Sequence, residues 1–304
     1  MKRFIFFVFL LFLITISLLF PEITYEGVKN GIYISVYKIA PSLFVFLVLT
    51  NMLVSSEYFF KLMNPVFSLF EKIFCIPKNA CVPLILGLIC GFPVGARTAK
   101  SMYENDEISF ALYNRLLLFV NSVSPAFLIS AVGLGIYSDE RVGYFLFFCQ
   151  FLCVLLLAFV SRFFYKTPIQ QEKFRKKKKS DIFTLITESI STSLSNILII
   201  SSYVIFFSFI TGFLKFLPIK NDLISALIFG LFEMSCGVFA VKRTSFSGLL
   251  CICFIIGFGG LCIHMQTVAI LGESRIKLSK YLFFKLLNGA LLCLFCLVFY
   301  NLLL

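Results

Sequence analysis

Long apolar runs separated by short polar stretches dominate the chain. Runs of the length needed to cross a bilayer as a helix, roughly 20 residues, cover 4–20, 37–55, 108–136, 142–163, 196–214, 247–271 and 281–303. Two further apolar segments, 80–103 and 222–241, are interrupted by glycine, proline or charge. Residues 56–78 and 182–195 mix apolar and polar positions and read as amphipathic helices lying in the membrane interface. The first twenty residues, MKRFIFFVFLLFLITISLLF, resemble a secretory signal. Their apolar run is long for one, and no small-residue cleavage site follows, which favours a retained first transmembrane helix.

This pattern predicts an all-α polytopic membrane protein, and composition agrees. Hydrophobic residues make up 60% of the chain and charged residues 14%, whereas soluble domains are about half apolar and a quarter charged. The net charge of +12 is concentrated in 162–179, RFFYKTPIQQEKFRKKKK. Such a run can bind nucleic acid. In a polytopic membrane protein it reads instead as a cytoplasmic loop, and no nucleic-acid partner is expected. Most of the eleven cysteines fall within apolar runs, and there is one histidine. The C-x-x-C of Cys293 and Cys296 sits inside the last apolar segment, where small buried residues are the simplest reading. No metal site, cofactor or disulfide framework is expected.

Charge also orients the segments. Met1-Lys2-Arg3 places the N-terminus inside, so 22–36, with Glu22 and Glu26, becomes an outer loop. If 80–103 crossed fully, the basic loop would land outside. If it dips in and returns, Arg97, Lys100 and Arg115 stay inside and so does the lysine run at 176–179. The second half repeats the order of helix, interrupted segment, broken crossing and helix, but starts from the other side. Lys277 and Lys280 then fall inside, while Lys242 and Arg243 fall outside against the rule. The expected fold is therefore two inverted repeats with re-entrant hairpins and broken transmembrane helices, an architecture of many secondary transporters. Its parts are 1–36 (first helix and outer loop), 37–165 (first gate-like repeat), 166–195 (basic cytoplasmic loop and interfacial helix) and 196–304 (second gate-like repeat).

Four breaks carry the candidate chemistry. The first, around Gly91, Pro93 and Gly95, removes a backbone donor and permits close approach, with Arg97 just beyond as a candidate counter-charge. The second is Asn121-Ser122-Val123-Ser124-Pro125, where Pro125 can open a half-helix capped by Ser124 or Ser122. Amides near Gly95 and after Pro125 would receive negative groups. The third holds Glu233 and Ser235. A carboxylate there is expensive in lipid, about 2.5–3.5 kcal/mol on insertion scales, so it should face the interior, either to couple to a proton or cation or simply to pair with a basic residue. The fourth is Gly257-Phe258-Gly259-Gly260, followed by His264 and Gln266. His264 can relay protons or be a satisfied structural residue. Breaks of this kind read as substrate-binding in a carrier and as kinks in a packed bundle. No soluble-enzyme motif is present, and no catalytic residue is expected.

The stretches GFPVGARTAK, NSVSPAFLISAVG, GLFEMSCGV and GFGGLCIHMQ, in this order and spacing, resemble the bacterial family of sporulation integral membrane proteins YlbJ (stage V sporulation protein V). That family lies within the wider set bearing nucleoside-recognition gate domains. The likeness runs from about 40 to 290, departing mildly at Phe92, where tyrosine is more usual, and at Arg97, where lysine is. The resemblance implies a multi-pass protein of the cell membrane, specifically the outer forespore membrane of a spore-former, that moves dipicolinic acid. Two other readings stay open: a nucleoside transporter, which would not need Arg97, and a non-transporting protein of spore envelope assembly that docks partners through its basic loop. The expected partners are membrane lipid and a small anionic solute such as dipicolinate, with proton or cation coupling through Glu233 or His264. The sequence does not fix an oligomeric state.

Overall fold

The computed structural model describes residues 2–164, 181–216, 218–242, 245–271 and 278–303. The lysine run at 176–179, Arg243 and Lys277, on which part of the charge argument rested, lie outside them. Among the described residues every element is helical. Five helices are long and apolar enough to cross a membrane, or six if one bent pair counts as a span.

Helix α1 (Lys2–Leu19) stops before Pro21, and α2 (Pro21–Tyr33) starts there. A π-helical turn (Ile34–Ile39) joins α2 to α3 (Ala40–Ser55), making one rod, Pro21–Ser55. The expected outer loop at 22–36 is therefore helical. The Glu26–Lys29 ion pair lies outward, Asn30 donates to the Cys236 sulfur, and Gly27, Gly31 and Ser35 are buried. A Cβ on Gly31 would stand 2.7 Å from the Ile205 Cα, so the glycines let two helix backbones touch. The polar composition hid a helical face made of glycine.

Helix α4 (Glu57–Phe74) is amphipathic and capped by Ser56, whose hydroxyl accepts from the Tyr58 amide. It meets the following helical stretch at 101°. Buried Arg115 seals that corner by donating to the carbonyls of Phe74 and Cys75 and to Ser161. Then come α5 (Cys81–Cys90), α6 (Val94–Glu104), α7 (Phe110–Leu116), a π-helical segment (Phe127–Tyr137) and α8 (Glu140–Phe164).

The second half opens with α9 (Ile182–Leu214), a single helix of 33 residues. Residues 182–195 are its first turns, not a separate interfacial helix. Its hydroxyls explain the continuity: those of Thr187, Ser193 and Ser202 each bond the carbonyl four residues back, so polar side chains sit in the helix without ending it. Helices α10 (Asp222–Phe232), α11 (Met234–Ala240), α12 (Phe246–Phe258), α13 (Gly260–Leu271) and α14 (Leu278–Leu303) complete the chain.

Both interrupted segments turn back on themselves. A Cβ on Gly95 would lie 2.8 Å from the Gly87 Cα, so α5 and α6 form a helical hairpin. A Cβ on Gly237 would lie 2.3 Å from the Gly230 Cα, so α10 and α11 form another. Each hairpin precedes a broken helix and then a long one, while α4, before the first hairpin, has no counterpart before the second. The long helix α9 fastens both hairpins. Its Asn196 accepts from Arg97 on the first, and its Ser208 and Thr211 reach Cys236 on the second, at 3.1 and 3.7 Å.

A testable consequence concerns Gly87, where a Cβ would fall 1.8 Å from the Val120 carbonyl oxygen. Gly87→Ala should lower stability in detergent by about 1–3 kcal/mol. Exposed Gly135→Ala, with only the Ser130 carbonyl near at 3.4 Å, should change it by less than about 0.5 kcal/mol. Thermal melting of the purified variants checks both, and equal effects would contradict the hairpin packing.

Candidate functional site

All four breaks are present. Helix α5 ends at Cys90, Gly91 turns the chain with φ +74°, and α6 begins at Val94. Residues 120–124 are non-helical. The chain then re-forms a helix at Pro125, where the Ser124 hydroxyl accepts from the Phe127 amide at 3.2 Å. Glu233 is extended and caps α11 with its own carboxylate, which accepts from the amides of Ser235 (3.0 Å) and Cys236 (2.5 Å). Gly259 and Gly260 both have positive φ, +94° and +74°, and separate α12 from α13.

The breaks pack against one another. A Cβ on Gly91 would fall 2.6 Å from the Ser124 nitrogen, and the Ser122 hydroxyl donates to the Gly87 carbonyl at 2.8 Å. These contacts join the first break to the second. A Cβ on Gly260 would fall 2.5 Å from the Gly230 carbonyl oxygen, joining the fourth to the third. The Phe92 ring reaches to 3.5 Å from where a Gly259 Cβ would stand, linking the two halves.

A cavity of about 50 Å³ lies where they meet. The first three breaks contribute Cys90 and Phe92; Val123, Ser124 and Phe127; and Glu233, Met234 and Ser235, while α13, which follows the fourth break, adds Ile263 and Gln266; Gly259 and Gly260 are not on the wall. Ile39 and Leu43 of the first rod and Ile200 and Val204 of α9 close the remaining sides. One water needs about 10–15 Å³ of such space, so the cavity has room for a few waters. Ser124, Glu233, Ser235 and Gln266 thus share one wall surface. The Gln266 amide points back to the Cys262 sulfur at 3.4 Å.

Other candidate residues lie elsewhere. Gly95 is packed on Gly87 and the Val120 carbonyl, and Pro93 opens α6. The Phe127 amide after Pro125 is already taken by the Ser124 hydroxyl. Arg97 is half-buried, away from the cavity wall, with its guanidinium on Asn196.

A second polar cluster adjoins the second break. The Asn121 amide nitrogen donates to Thr267 at 2.7 Å, Tyr281 donates to the same hydroxyl at 3.5 Å, and His264 Nδ1 lies 3.1 Å from the Tyr281 hydroxyl. Lys285 of α14 donates to the Asn121 backbone carbonyl. All five side chains are buried. Asn121 Oδ1 and His264 Nε2 are buried with no hydrogen-bond partner among the described residues. Lys285 is the functional candidate that sequence reading missed. It lies inside the last apolar run, 281–303, five residues after Lys280. Its spacing of four from Tyr281 and three from Asn288, both buried, was the available signal.

The chain is 24% identical, over 337 aligned positions, to the sporulation integral membrane protein YlbJ of Bacillus subtilis (strain 168), with 96% of this chain and 81% of that protein covered. This similarity supports assignment of the chain to that family. No protein-family model matches the chain, and no solved structure matches it significantly.

The cluster predicts a measurable coupling. In a double-mutant cycle of Asn121→Ala and Thr267→Val, stability effects should be non-additive by about 0.5–1.5 kcal/mol, the worth of one buried hydrogen bond. Strict additivity would mean that the two breaks' helices are not joined there.

Proposed function

We propose that this integral membrane protein is a transporter of a small anionic solute, with dipicolinate as its substrate in a sporulating cell. The observation that carries the reading is the meeting of three chain breaks, and of the helix that follows the fourth, around one cavity. Its kinship with a sporulation integral membrane protein supports the physiological setting and, with it, a place in the outer forespore membrane.

In this reading the two halves are inverted repeats, and their hairpins enter the bilayer from opposite faces. Broken helices at a repeat interface place polar backbone and side chains at the midplane, where a solute that has lost its water needs partners. Ser124, Ser235 and Gln266 offer hydrogen bonds from the cavity wall. Glu233, which holds the start of α11 by two amides, is the coupling residue. A proton or cation that neutralises the carboxylate weakens this cap and frees the second hairpin tip, which links ion binding to movement of the cavity wall. His264 is the alternative proton carrier. A cavity with space for a few waters must widen to admit an aromatic dicarboxylate. Widening by rocking one half past the other would open it to each side in turn. The protein works without a cofactor, a metal or a chemical step of its own, and its partners are lipid and solute.

The test is uptake of labelled dipicolinate and of uridine into proteoliposomes holding the full chain, with and without a pH gradient. Dipicolinate should accumulate, uridine should not, and Glu233→Gln should lower uptake on the order of tenfold, equivalent to about 1.4 kcal/mol. Uptake of uridine alone would indicate a nucleoside carrier. Unchanged dipicolinate uptake by the Glu233→Gln protein would remove Glu233 from the mechanism.

A further inference from the structure

Lys285 is a cation at membrane depth with an incomplete set of partners. Its side chain is 2% exposed, and it lies near the first third of α14. An ammonium carries three N–H donors. Among the described residues one acceptor is present, the Asn121 carbonyl that the second break frees from helical bonding. No carboxylate pairs with it: the three ion pairs among the described residues are Glu26–Lys29, Lys100–Glu104 and Asp139–Arg141, all elsewhere. What surrounds it instead is aromatic. The ammonium stands 5.5 Å from the centroid of the Phe92 ring and 5.8 Å from that of Tyr281. Phe92 also forms part of the cavity wall, so one ring borders both the cavity and the cation.

A charge in this position is expensive and is retained in membrane proteins chiefly where it serves an ion or substrate pathway. A solely structural role, capping the Asn121 carbonyl, would use one donor of three and needs no charge. Arg97, the other cation near a break, is engaged with Asn196 and lies off the cavity wall.

We infer that Lys285 is the residue that receives a carboxylate of the transported solute, reached when the Phe92 ring at the first hairpin tip swings aside. The inference rests on the reading of the protein as a carrier of anions. It assigns the charge recognition to Lys285 and gives Phe92 the role of a shutter between cavity and cation. A carboxylate oxygen satisfies the two idle donors. A neutral solute of the same shape would leave the ammonium unpaired and gain nothing from it.

The experiment measures binding to the full-length protein in lipid nanodiscs for dipicolinate, for benzoate and for neutral pyridine-2,6-dicarboxamide. It compares wild type with Lys285→Met and Lys285→Arg, and melting curves confirm that each variant is folded. Lys285→Met should weaken dipicolinate on the order of a hundredfold, as expected for loss of a charge-assisted pair. It should leave the diamide unchanged, and Lys285→Arg should keep most of the affinity. Benzoate binding that depends on Lys285, with no dipicolinate binding, would uphold the carboxylate site and overturn dipicolinate as substrate. Dipicolinate bound equally by wild type and by folded Lys285→Met would overturn the inference and leave the carrier reading standing. Failure of every anion to bind wild type would overturn both. Should Lys285→Met not fold, the Lys285→Arg protein and the Phe92→Ala protein decide. Loss of carboxylate preference over the diamide in Lys285→Arg, or an unchanged rate of dipicolinate entry in Phe92→Ala, would count against it.

Discussion

Backbone that leaves the helix inside a bilayer has no water to bond, and each unsatisfied group costs several kcal/mol. The arrangement at the centre of this protein follows from that one constraint. Its four interruptions pack together, and their freed backbone groups find partners within the protein. Ser122 takes the Gly87 carbonyl, Lys285 takes the Asn121 carbonyl, and Glu233 takes two amides at the start of α11. Glycines at 87, 91, 95, 230, 237 and 260 bring the strands of this knot close enough to touch. The long helices around it keep lipid away and, through α9 and α14, hold the breaks in place.

The same constraint explains why the cavity is small and polar on one part of its wall. A void among freed backbone groups would leave them unbonded, so side chains and a few waters must fill it. Charge is admitted there sparingly. Glu233 is held by the backbone of its own break, and Lys285 by the backbone of another. Arg115 shows the contrasting use of a buried cation. Hydrogen bonds to the carbonyls of Phe74 and Cys75 and to Ser161 fix it to the corner between α4, α7 and α8, where it seals the end of α4.

Much of this was legible in the sequence, for physical reasons that can be named. Glycine and proline at 91–95, asparagine, serine and proline at 121–125, and Gly259-Gly260 cannot continue a helix easily, so the breaks were visible as residues. A serine cap after the second break, Ser124 or Ser122, followed from their place before Pro125, and the structure has Ser124 in that role while Ser122 bonds the Gly87 carbonyl. The long helices α8, α12 with α13, and α14 followed from their apolar length. What stayed hidden depends on partners distant in the chain. The helix at 22–36 looked like a loop because its buried face is glycine, and glycine signals packing only once the opposing helix is known. Residues 182–195 looked interfacial because hydroxyls that bond their own helix are indistinguishable in sequence from hydroxyls facing water. Lys285 falls within the last apolar run, and its role shows only where α14 runs past the second break.

The central claim is that the two hairpins enter and leave the membrane on one face each, and on opposite faces from one another. Sidedness of their ends measures this directly. Cysteines introduced one at a time at Lys72, Asn105, Asn221 and Lys242 would be labelled with a membrane-impermeant maleimide in oriented vesicles, above the background of the unsubstituted chain. Positions 72 and 105 should label from one side, and 221 and 242 together from the other. Labelling of 72 and 105 from opposite sides, or of all four from the same side, would contradict it.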